Sequence, residues 1–414
     1  MGEMGSLAYA GYIVPFVLLL PVLEYYLSKK KKVDAYSFSD TLVNLSCGIL
    51  ERTFDFFFIV FLYFVFGYLY DNASLVHLDA WLPLPILWLF ALLFADLVAY
   101  WHHRLSHEIN FFWAAHIVHH QSEELNVTTV FRVSAFAVIN RTLFWIWLPI
   151  VGFSPMISSV AIMFIGLYQF VSHTRLIDKL GILEYILVTP SHHRVHHARN
   201  PQYLDKNYGH VFIIWDKMFG TFEPEVEEPQ YGIVDGFESS NPIWAYFSYW
   251  FDLFKRAKKT KDWTNKIKMF LMPPAWIPDD LAGSEEAKYE LDKKGNRKKY
   301  KLAVPRRLQV YLSVNIIITM VLFTTLLLGK SFPLVTKIQL MSLVLMSVIS
   351  FGPLLERKSW GVRFDLIKLI ILAINIPILL WNYPYSILLI IGILALIGGL
   401  IFWLQTLKKQ VQFS

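Results

Sequence analysis

Histidine is the residue type whose distribution points to chemistry in this chain. Twelve of its thirteen histidines lie between His102 and His210, and ten of those fall in two short runs, YWHHRLSHEINFFWAAHIVHH and TPSHHRVHH. Neutral imidazole binds Fe, Zn, Cu and Ni. The single cysteine, Cys47, excludes both a disulfide framework and a site built from several thiolates. The composition therefore predicts a metal site built from histidine.

The spacing of these histidines fits helices. His103 and His107 are four residues apart and share one face of a helix, as do the members of an H-x-x-H-H unit. Each unit is therefore expected to present several imidazoles to one point. Eight or nine such ligands are too many for one ion, whereas two ions about 3.5 to 4 Å apart would use them. The predicted ligands are His103, His107, His116, His119, His120, His193, His196 and His197.

The other histidines are interpreted one by one. His173, in FVSHTRL, follows an apolar segment and is predicted to be a ligand, and His192 is added as a further one. His102 points off the ligand face, and His210 lies in a polar segment, so a structural or solvated role is favoured for both. His77 stands alone and is expected to take no part.

Two carboxylates lie near the predicted ligands. Asp96 precedes His103 by seven residues, two helical turns along the same face. A carboxylate there would orient a ligand imidazole through a hydrogen bond, or it would simply face water at the membrane surface. Glu108 follows His107 directly and is either a partner of a ligand or a surface acid. Asp96 and Glu108 are the candidate catalytic residues.

The rest of the chain indicates a membrane protein. It is 55% hydrophobic and only 17% charged, against about 25% in soluble domains, and its mean hydropathy is +0.44. Its net charge of +6 comes from residues that flank apolar runs, which argues against a nucleic-acid partner. Because no segment alternates like a barrel strand, we expect an all-α polytopic membrane protein. The predicted spans are 7–27, 48–69, 84–100, 308–328, 334–354, 366–381 and 385–404.

Two shorter apolar segments, 135–151 and 155–171, are compatible with either a tilted hairpin or a re-entrant pair. The first span is followed by Lys29 to Lys32, a stop-transfer pattern, and is expected to be retained. Threading the spans alternately places nearly all Lys and Arg clusters, and the histidines, on one side. The positive-inside rule makes this the cytoplasmic face of a bacterial inner membrane or of the endoplasmic reticulum.

Four regions are predicted from these patterns. Residues 1–100 form N-terminal transmembrane helices, and 101–254 form a helical, histidine-rich di-metal domain that contains the short apolar hairpin. Residues 255–307, rich in Lys, Asp and Pro, form a polar linker, either a solvated loop or a basic amphipathic patch against anionic headgroups. Residues 308–407 form C-terminal transmembrane helices.

At the histidine runs the sequence resembles the fatty acid hydroxylase/sterol desaturase superfamily, whose members carry HxxxH or HxxxxH, HxxHH and a later HxxHH. The resemblance covers WHHRLSHEINFFWAAHIVHHQSEELN, FVSHTRLIDKLGILEYILVTPSHHRVHHARN and YLDKNYGHVFIIWDKMFGTFEPE, and continues into the region from Arg306 to Asp365. It implies a lipid substrate, two irons as cofactor and O2 as oxidant. After His173 many relatives have a further histidine where this chain has Leu176 and Ile177, so His192 is taken as the tenth ligand.

Within the superfamily the chain is most similar to the branch that acts on ether lipids of glycerol. That resemblance implies tetrahydrobiopterin as the electron donor and hydroxylation of the ether-linked carbon of an alkylglycerol. The resulting hemiacetal would separate into a fatty aldehyde and glycerol. No pterin-binding motif is evident, and a ferredoxin or reductase system is the alternative donor. A sterol or acyl-lipid hydroxylase or desaturase of the same superfamily is the alternative function.

Two function classes outside the superfamily compete with the oxygenase. A membrane zinc hydrolase would use the metals to activate water, and it would need a carboxylate at the metals from among Asp96, Glu108, Glu123 and Glu124. A metal transporter or bis-histidine haem protein would place its ligands in the middle of a span rather than at the membrane surface. The surface position of the histidines disfavours the latter.

Overall fold

The protein is described from a computed structural model that covers residues 10–282, 298–329, 331–381, 385–411 and 413, without the side chains of 10–18 and 56–57. These residues are almost entirely helical, and β-structure within them is limited to two isolated bridges. In chain order the helices are α1 Ala10–Lys31, α2 Phe38–Ala73, α3 Leu84–Glu108, α4 Asn110–His120, α5 Ala137–Trp145, α6 Trp147–Val151, α7 Pro155–Ser172, α8 Pro190–His196, α9 Ile214–Phe219, α10 Pro242–Lys259, α11 Trp263–Leu271, α12 Arg306–Leu328, α13 Leu334–Leu355, α14 Ser359–Leu380 and α15 Ser386–Gln410.

Five of these helices are long and apolar enough to cross a membrane: α3, α7, α12, α13 and α15. α2 adds a sixth if its two parts, Phe38–Asp55 and Phe58–Ala73, which meet at 48°, form one span. This confirms the predicted all-α polytopic membrane fold. Residues 10–27 of the first predicted span lie in α1, and residues 7–9 of that span lie outside the described residues. α14 begins seven residues before the predicted 366 and carries three charged residues in its first half.

Two hydrophobic cores hold the helices together. The larger joins α12 to α15 with the start of α2, the inner face of α10 and the back of α4, where Ala114, Ile117 and Val118 are buried. The smaller joins α3 to α6 and α7 through Ala91, Ala95 and neighbours. α3 and α4 therefore each pack one face into a core. Their other faces, which carry the histidines, contact each other between the two cores.

The hairpin of α5, α6 and α7 reaches the loop between α2 and α3. Leu75 N–H donates to the carbonyl of Ile150 at 2.8 Å, and Leu78 N–H donates to that of Gly152 at 3.0 Å. Gly152 has φ of +126°, and a Cβ there would lie 1.9 Å from the Val76 carbonyl oxygen, so only glycine fits the turn. Both arms therefore run from the histidines to the far loop, which favours the spanning hairpin over the re-entrant pair.

The opposite ends of the helices meet around the histidines. Lys31 at the end of α1 donates to the carbonyl of Leu176, just after α7. Arg132, which precedes α5, donates to Asp40 near the start of α2 at 3.1 Å. The end of α1, the residue Leu176 after α7, and the starts of α2 and α5 therefore lie near the histidines.

The predicted linker, 255–307, is more ordered than a loop over its described residues. α10 runs from Pro242 to Lys259 across the predicted boundary at residue 254, and α11 follows from Trp263 to Leu271. Residues 283–297 of the linker lie outside the described chain. Both helices are amphipathic, with the buried side against α4 and the larger core.

Candidate metal centre

A sharp break between α3 and α4 brings the first five histidines together. Ile109 is extended, with φ of −124° and ψ of 120°, and α4 begins at the next residue. Asn110 is buried at this break: its side-chain N–H donates to the Met269 carbonyl at 2.9 Å, and its oxygen accepts from the Tyr249 hydroxyl at 2.5 Å. These bonds from α10 and α11 fix the angle at which α4 folds back toward α3.

The remaining histidines come from the end of α7 and from α8. His173 is the residue that ends α7, so it projects at the point where the helix leaves the apolar layer. α8 is a short helix that begins with a capping box at Thr189 and has Pro190 in its first turn. His193 of α8 contacts His173 at the end of α7, and His196 and the following His197 contact the histidines of α4.

Nine imidazoles form two groups, in each of which the ligand nitrogens lie within 4.8 Å of one another. In the first group, His116 Nε2 lies 3.1 Å from His103 Nε2 and 3.1 Å from His120 Nε2. In the second group, His173 Nε2 lies 3.1 Å from His119 Nε2 and 2.9 Å from His193 Nε2. The first group consists of His103, His107, His116, His120 and His196, and the second of His119, His173, His193 and His197.

The division between the groups differs from the sequence expectation that each H-x-x-H-H unit serves one point. His116 and His120 belong to the first group, whereas His119, between them, belongs to the second. The unit at α8 does the reverse, because His193 and His197 join the second group and His196 joins the first. Each motif therefore links the two groups, since positions i and i+4 overlie one another and i+3 lies to one side.

The groups adjoin each other. The rings of His120 and His197, one from each group, stack with centroids 4.6 Å apart. His193 and His196 stack at 5.3 Å. The nitrogens of both groups thus lie within a single buried compartment.

Burial holds four of the grouped imidazoles that lie outside the candidate spans neutral at physiological pH. Burial lowers the pKa of His119 to about 4 and that of His116, His120 and His193 well below the usual range. Neighbouring imidazoles add to the effect, since two of them cannot both carry charge at such distances. A metal binds the neutral ring, so these pKa shifts favour metal binding over protonation.

Several observations fit the residues to metal ions. The Nε2 atoms of His107 and His196 are buried in the first group and have no hydrogen-bond partner among the described residues. A buried polar atom without a partner is costly, and a metal ion would satisfy both. With metal–nitrogen bonds of about 2.1 Å, ligands at right angles would be about 3.0 Å apart, and the nitrogen separations given above are close to that value.

One loop orients three rings of the first group. The Tyr208 carbonyl lies 2.8 Å from His103 Nδ1, and the Lys206 carbonyl lies 3.0 Å from His196 Nδ1. A carboxylate oxygen of Asp205 lies 3.6 Å from Nδ1 of a third ring, that of His107. These contacts place the Nδ1 proton toward the loop and leave Nε2 for the metal.

Two buried aspartates hold this loop from behind. Asp96 accepts from Val211 N–H and Phe212 N–H, both at 2.9 Å, and from the Trp215 indole at 3.0 Å. Asp216 accepts from the backbone N–H of residues 208 and 209 at 2.7 and 2.8 Å. Four of the five amides from residue 208 to residue 212 are therefore bound by these two carboxylates. We call residues 205–212 the clamp loop.

The clamp loop revises the expected role of Asp96. The sequence predicted a hydrogen bond from Asp96 to a ligand imidazole or an interfacial position in water. The structure instead buries Asp96 completely and directs its three hydrogen bonds to the clamp loop and Trp215. Asp216 and the clamp loop had no predicted role, although they lie within the segment YLDKNYGHVFIIWDKMFGTFEPE that carries the family resemblance.

The other predicted residues lie outside the two groups. His192 accepts the Thr189 N–H at 3.3 Å as part of the capping box of α8, and its ring lies 5.6 Å from that of Phe222. Glu108 pairs with Arg104 at 2.8 Å, and its side chain is 41% exposed.

The three histidines for which no ligand role was favoured also lie outside the groups. His102 packs on Phe144, and His77 contacts Tyr70 in the region of the far loop. His210, in the clamp loop, is closer: its ring centroid is 4.9 Å from that of His103, and its buried Nδ1 has no partner among the described residues.

Comparison with known proteins identifies the family. A family model described as fatty acid hydroxylase matches residues 88–221, which contain both histidine groups, Asp96 and Asp216. Alkylglycerol monooxygenase of Danio rerio is 32% identical over 379 residues, covering 88% of this chain and 82% of that protein. The Homo sapiens protein of the same name is 38% identical over 272 residues, covering 65% of this chain and 60% of that protein.

A bacterial lipid-modifying protein is also related. Ornithine lipid hydroxylase OlsE of Rhizobium tropici is 31% identical over 153 residues, covering 35% of this chain and 44% of that protein. No solved structure matches the chain. With its candidate spans and histidine groups, the chain therefore belongs to the fatty acid hydroxylase family, in the branch of the alkylglycerol monooxygenases, and is an integral membrane, O2-dependent monooxygenase.

Proposed function

We propose that the chain is a di-iron monooxygenase that hydroxylates the ether-linked carbon of an alkylglycerol. The observation that carries this proposal is the pair of adjoining histidine groups, of five and four imidazoles, in a single buried compartment. Because a ring of one group stacks on a ring of the other, the two groups suit two ions a few ångströms apart. The relatives named alkylglycerol monooxygenase support the choice of substrate.

The reaction is balanced by one O2 and a two-electron donor. One oxygen atom enters the C–H bond next to the ether oxygen, and the other leaves as water with two electrons and two protons from the donor. The product is a hemiacetal, which separates into a fatty aldehyde and glycerol. When bound, the irons would supply the activation of O2 that oxidation of this C–H bond requires.

The side chains hold and shield the site. The nine histidines would bind the metals through neutral nitrogens, and the clamp loop fixes three of those rings. The Trp113 ring lies 4.8 Å from that of His107 and 5.6 Å from that of His120, and the Tyr208 ring lies 5.2 Å from that of His107. These aromatic walls keep water from the first group, which favours oxidation of a lipid over hydrolysis.

The remaining assignments are also proposals. His192, as part of the capping box, would fix α8 rather than bind a metal. Asp96 would position the clamp loop, and Glu108, paired with Arg104, would keep the end of α3 in place rather than touch the metals. The donor would be reduced tetrahydrobiopterin, by resemblance to the ether-lipid branch, with a ferredoxin or reductase system as the alternative. The shared basic face would be cytoplasmic, because short cytoplasmic loops carry the excess of Lys and Arg.

The test begins with the purified protein in nanodiscs. Its metals are counted, and it is then incubated with O2, reduced pterin or a reductase system, and a panel of alkylglycerols, sterols and acyl lipids. Two irons per chain and aldehyde release from an alkylglycerol would support the proposal in full. Oxidation of an acyl lipid alone would reject the substrate and retain the chemistry, an outcome toward which the similarity to ornithine lipid hydroxylase points. Zinc without O2 uptake would reject the oxygenase.

Single substitutions provide the second test. His116→Ala, His173→Ala or His196→Ala should abolish lipid oxidation while the protein stays in the membrane, because each removes one imidazole from a group of four or five. His77→Ala is the matched control, since it lies outside both groups and contacts Tyr70 near the far loop. Full activity in any of the first three variants would contradict the ligand assignment.

The zinc hydrolase remains the alternative from another class. It would need a carboxylate at the metals, and among the described residues neither group contains one. Glu123 accepts a hydrogen bond from Tyr300 N–H at 2.6 Å, and Glu124 pairs with Lys299 at 2.7 Å. Their engagement elsewhere, together with the all-histidine groups, favours the oxygenase.

A further inference from the structure

We propose that α10 and α11 form a platform that lies flat in the headgroup region of a bilayer containing anionic lipids, with their exposed aromatic faces inserted. This surface is separate from the metal centre and goes beyond the proposed function. We call it the interfacial platform and define it as the solvent-facing sides of Pro242–Lys259 and Trp263–Leu271.

The first observation is a row of exposed aromatic side chains on α10. Trp244, Phe247, Phe251 and Phe254 are all exposed, Phe251 by 59%. Spacings of three and four residues place all four on one side of the helix. Four large aromatic rings in a row expose far more contiguous apolar surface than a single scattered side chain does. A contiguous apolar patch of this kind marks an interaction surface.

α11 continues the same pattern. Trp263, Ile267 and Leu271 are exposed at spacings of four residues, with Trp263 at 68% and Leu271 at 60%. Met269, on the other side, is buried in the larger core. Helices with one strongly apolar face and one polar or packed face, and with aromatic residues in the apolar face, are typical of helices that lie in a membrane interface.

The second observation is that α10 lies at the level where candidate spans end. Just before α10, the Ser239 hydroxyl and Ser240 N–H donate at 2.5 and 3.0 Å to Glu356, the residue that follows α13. Farther along, the Tyr249 hydroxyl donates to Asn110, two residues after the end of α3. Two such anchors hold α10 across the ends of two spans, which is where a bilayer has its headgroups.

The third observation is charge. Between residues 255 and 268 the chain has seven basic residues and one acidic residue, Asp262. Lys255, Lys258 and Lys259 are exposed at the end of α10, next to the aromatic row, and Lys266 and Lys268 are exposed on α11. Basic residues beside an inserted apolar face are attracted by the negative surface potential of anionic lipids. This charge favours a bilayer over a second copy of this basic chain.

The platform is tied to the metal centre through α4. The Gln121 amide, just after His120, lies 3.3 Å from the Ala245 carbonyl, to which it donates, and Phe111 and Trp250 contact each other with centroids 5.4 Å apart. The Tyr249 hydroxyl also donates to Asn110 at the break between α3 and α4. A platform seated on the bilayer would therefore hold the helix that carries three ligands at a fixed height above the membrane, beside the place where a lipid must enter.

Site-directed spin labelling of the full chain in nanodiscs tests the proposal. Cysteine is introduced at Phe251 or Trp263 and labelled with a nitroxide. The native Cys47 is buried, so background labelling at that position should be low. Val226→Cys, 79% exposed between two glutamates, is the aqueous control, and Phe402→Cys, 73% exposed on α15, is the lipid control. Collision with O2, which concentrates in lipid, is compared with collision with a water-soluble nickel chelate.

We expect the labels at both platform positions to collide with O2 more, and with the nickel chelate less, than the Val226 label, with depths between the two controls. Depth should increase in nanodiscs with anionic lipid, and Lys258→Gln combined with Lys259→Gln should remove that increase. Nickel collision equal to that of Val226 would show a solvated surface and overturn the proposal. Low collision with both reagents would show a covering protein or second copy, which would also overturn it. Because no turnover is measured, failure here leaves the proposed function untouched.

Discussion

Replacing Asp96 with asparagine should weaken metal retention in the first histidine group and leave the second group nearly intact. Asp96 holds the clamp loop, whose carbonyls at Lys206 and Tyr208 orient His196 and His103 in the first group. Within the described part of the chain, the clamp loop makes no hydrogen bond to the rings of the second group, which are those of His119, His173, His193 and His197. The substitution is therefore expected to act on one metal site selectively.

The magnitude follows from the hydrogen bonds that are lost. The carboxylate accepts three, and an amide keeps only one acceptor oxygen. If that oxygen keeps Phe212 N–H and Trp215, the amide NH2 faces Val211 N–H, and a buried donor is left without an acceptor. Loss of a hydrogen bond to a charged group costs about 1.5 to 3 kcal/mol. Part of this free-energy cost should displace the clamp loop, and the displaced loop should lower metal retention by roughly 10 to 100 fold.

Chelator titration followed by iron analysis measures the retention, and Mössbauer spectra of the reconstituted protein report whether one iron or both are perturbed. The initial rate of lipid oxidation should fall with the occupancy of the first group. Asp71→Asn, an exposed aspartate at the end of α2, is the matched control and should change neither quantity. Equal perturbation of both irons would refute selective action through the clamp loop, and unchanged retention together with an unchanged rate would refute a positioning role for Asp96.

Three further predictions concern stability. Lys368→Met should destabilise the folded protein by about 3 to 5 kcal/mol, because it removes the cation 2.5 Å from the buried Asp365 carboxylate, which keeps only the Tyr311 hydroxyl among the hydrogen-bond donors described. Replacing both Asp365 and Lys368 with apolar residues should restore most of the loss in thermal denaturation. Gly152→Ala should lower the melting temperature, because a Cβ would lie 1.9 Å from a carbonyl oxygen of the far loop, whereas Gly67→Ala, with nothing within 4 Å, should not. Metal-free protein should lose stability as pH falls below about 6.5 toward 4. Burial lowers the pKa of His119 from 6.5 to about 4, so the unfolded chain takes up protons first, and denaturation midpoints that do not fall over this pH range would contradict the assignment.

The sequence by itself determined the features that depend on short-range spacing. A run of about twenty apolar residues crosses a bilayer whatever its neighbours do, because the backbone must satisfy its hydrogen bonds within the helix. This is why α12 and α13 start and end within two residues of their predicted spans, whereas α2 begins ten residues, and α14 seven residues, before the spans predicted there. Likewise, His103 and His107 share a helical face in any fold that keeps the helix. The abundance of histidine and the single Cys47 together fixed the type of ligand.

The tertiary structure decided which imidazoles meet. Helical periodicity states which side chains share a face, but it does not state what faces them. Whether His119 joins His116 or His173 depends on the angle between α4 and the end of α7, which is set by Asn110 and by two packed cores. The partners of Asp96 lie more than a hundred residues away in the clamp loop. No local pattern encodes such a contact, because the hydrogen-bond energy is gained only once the loop has been folded against α3.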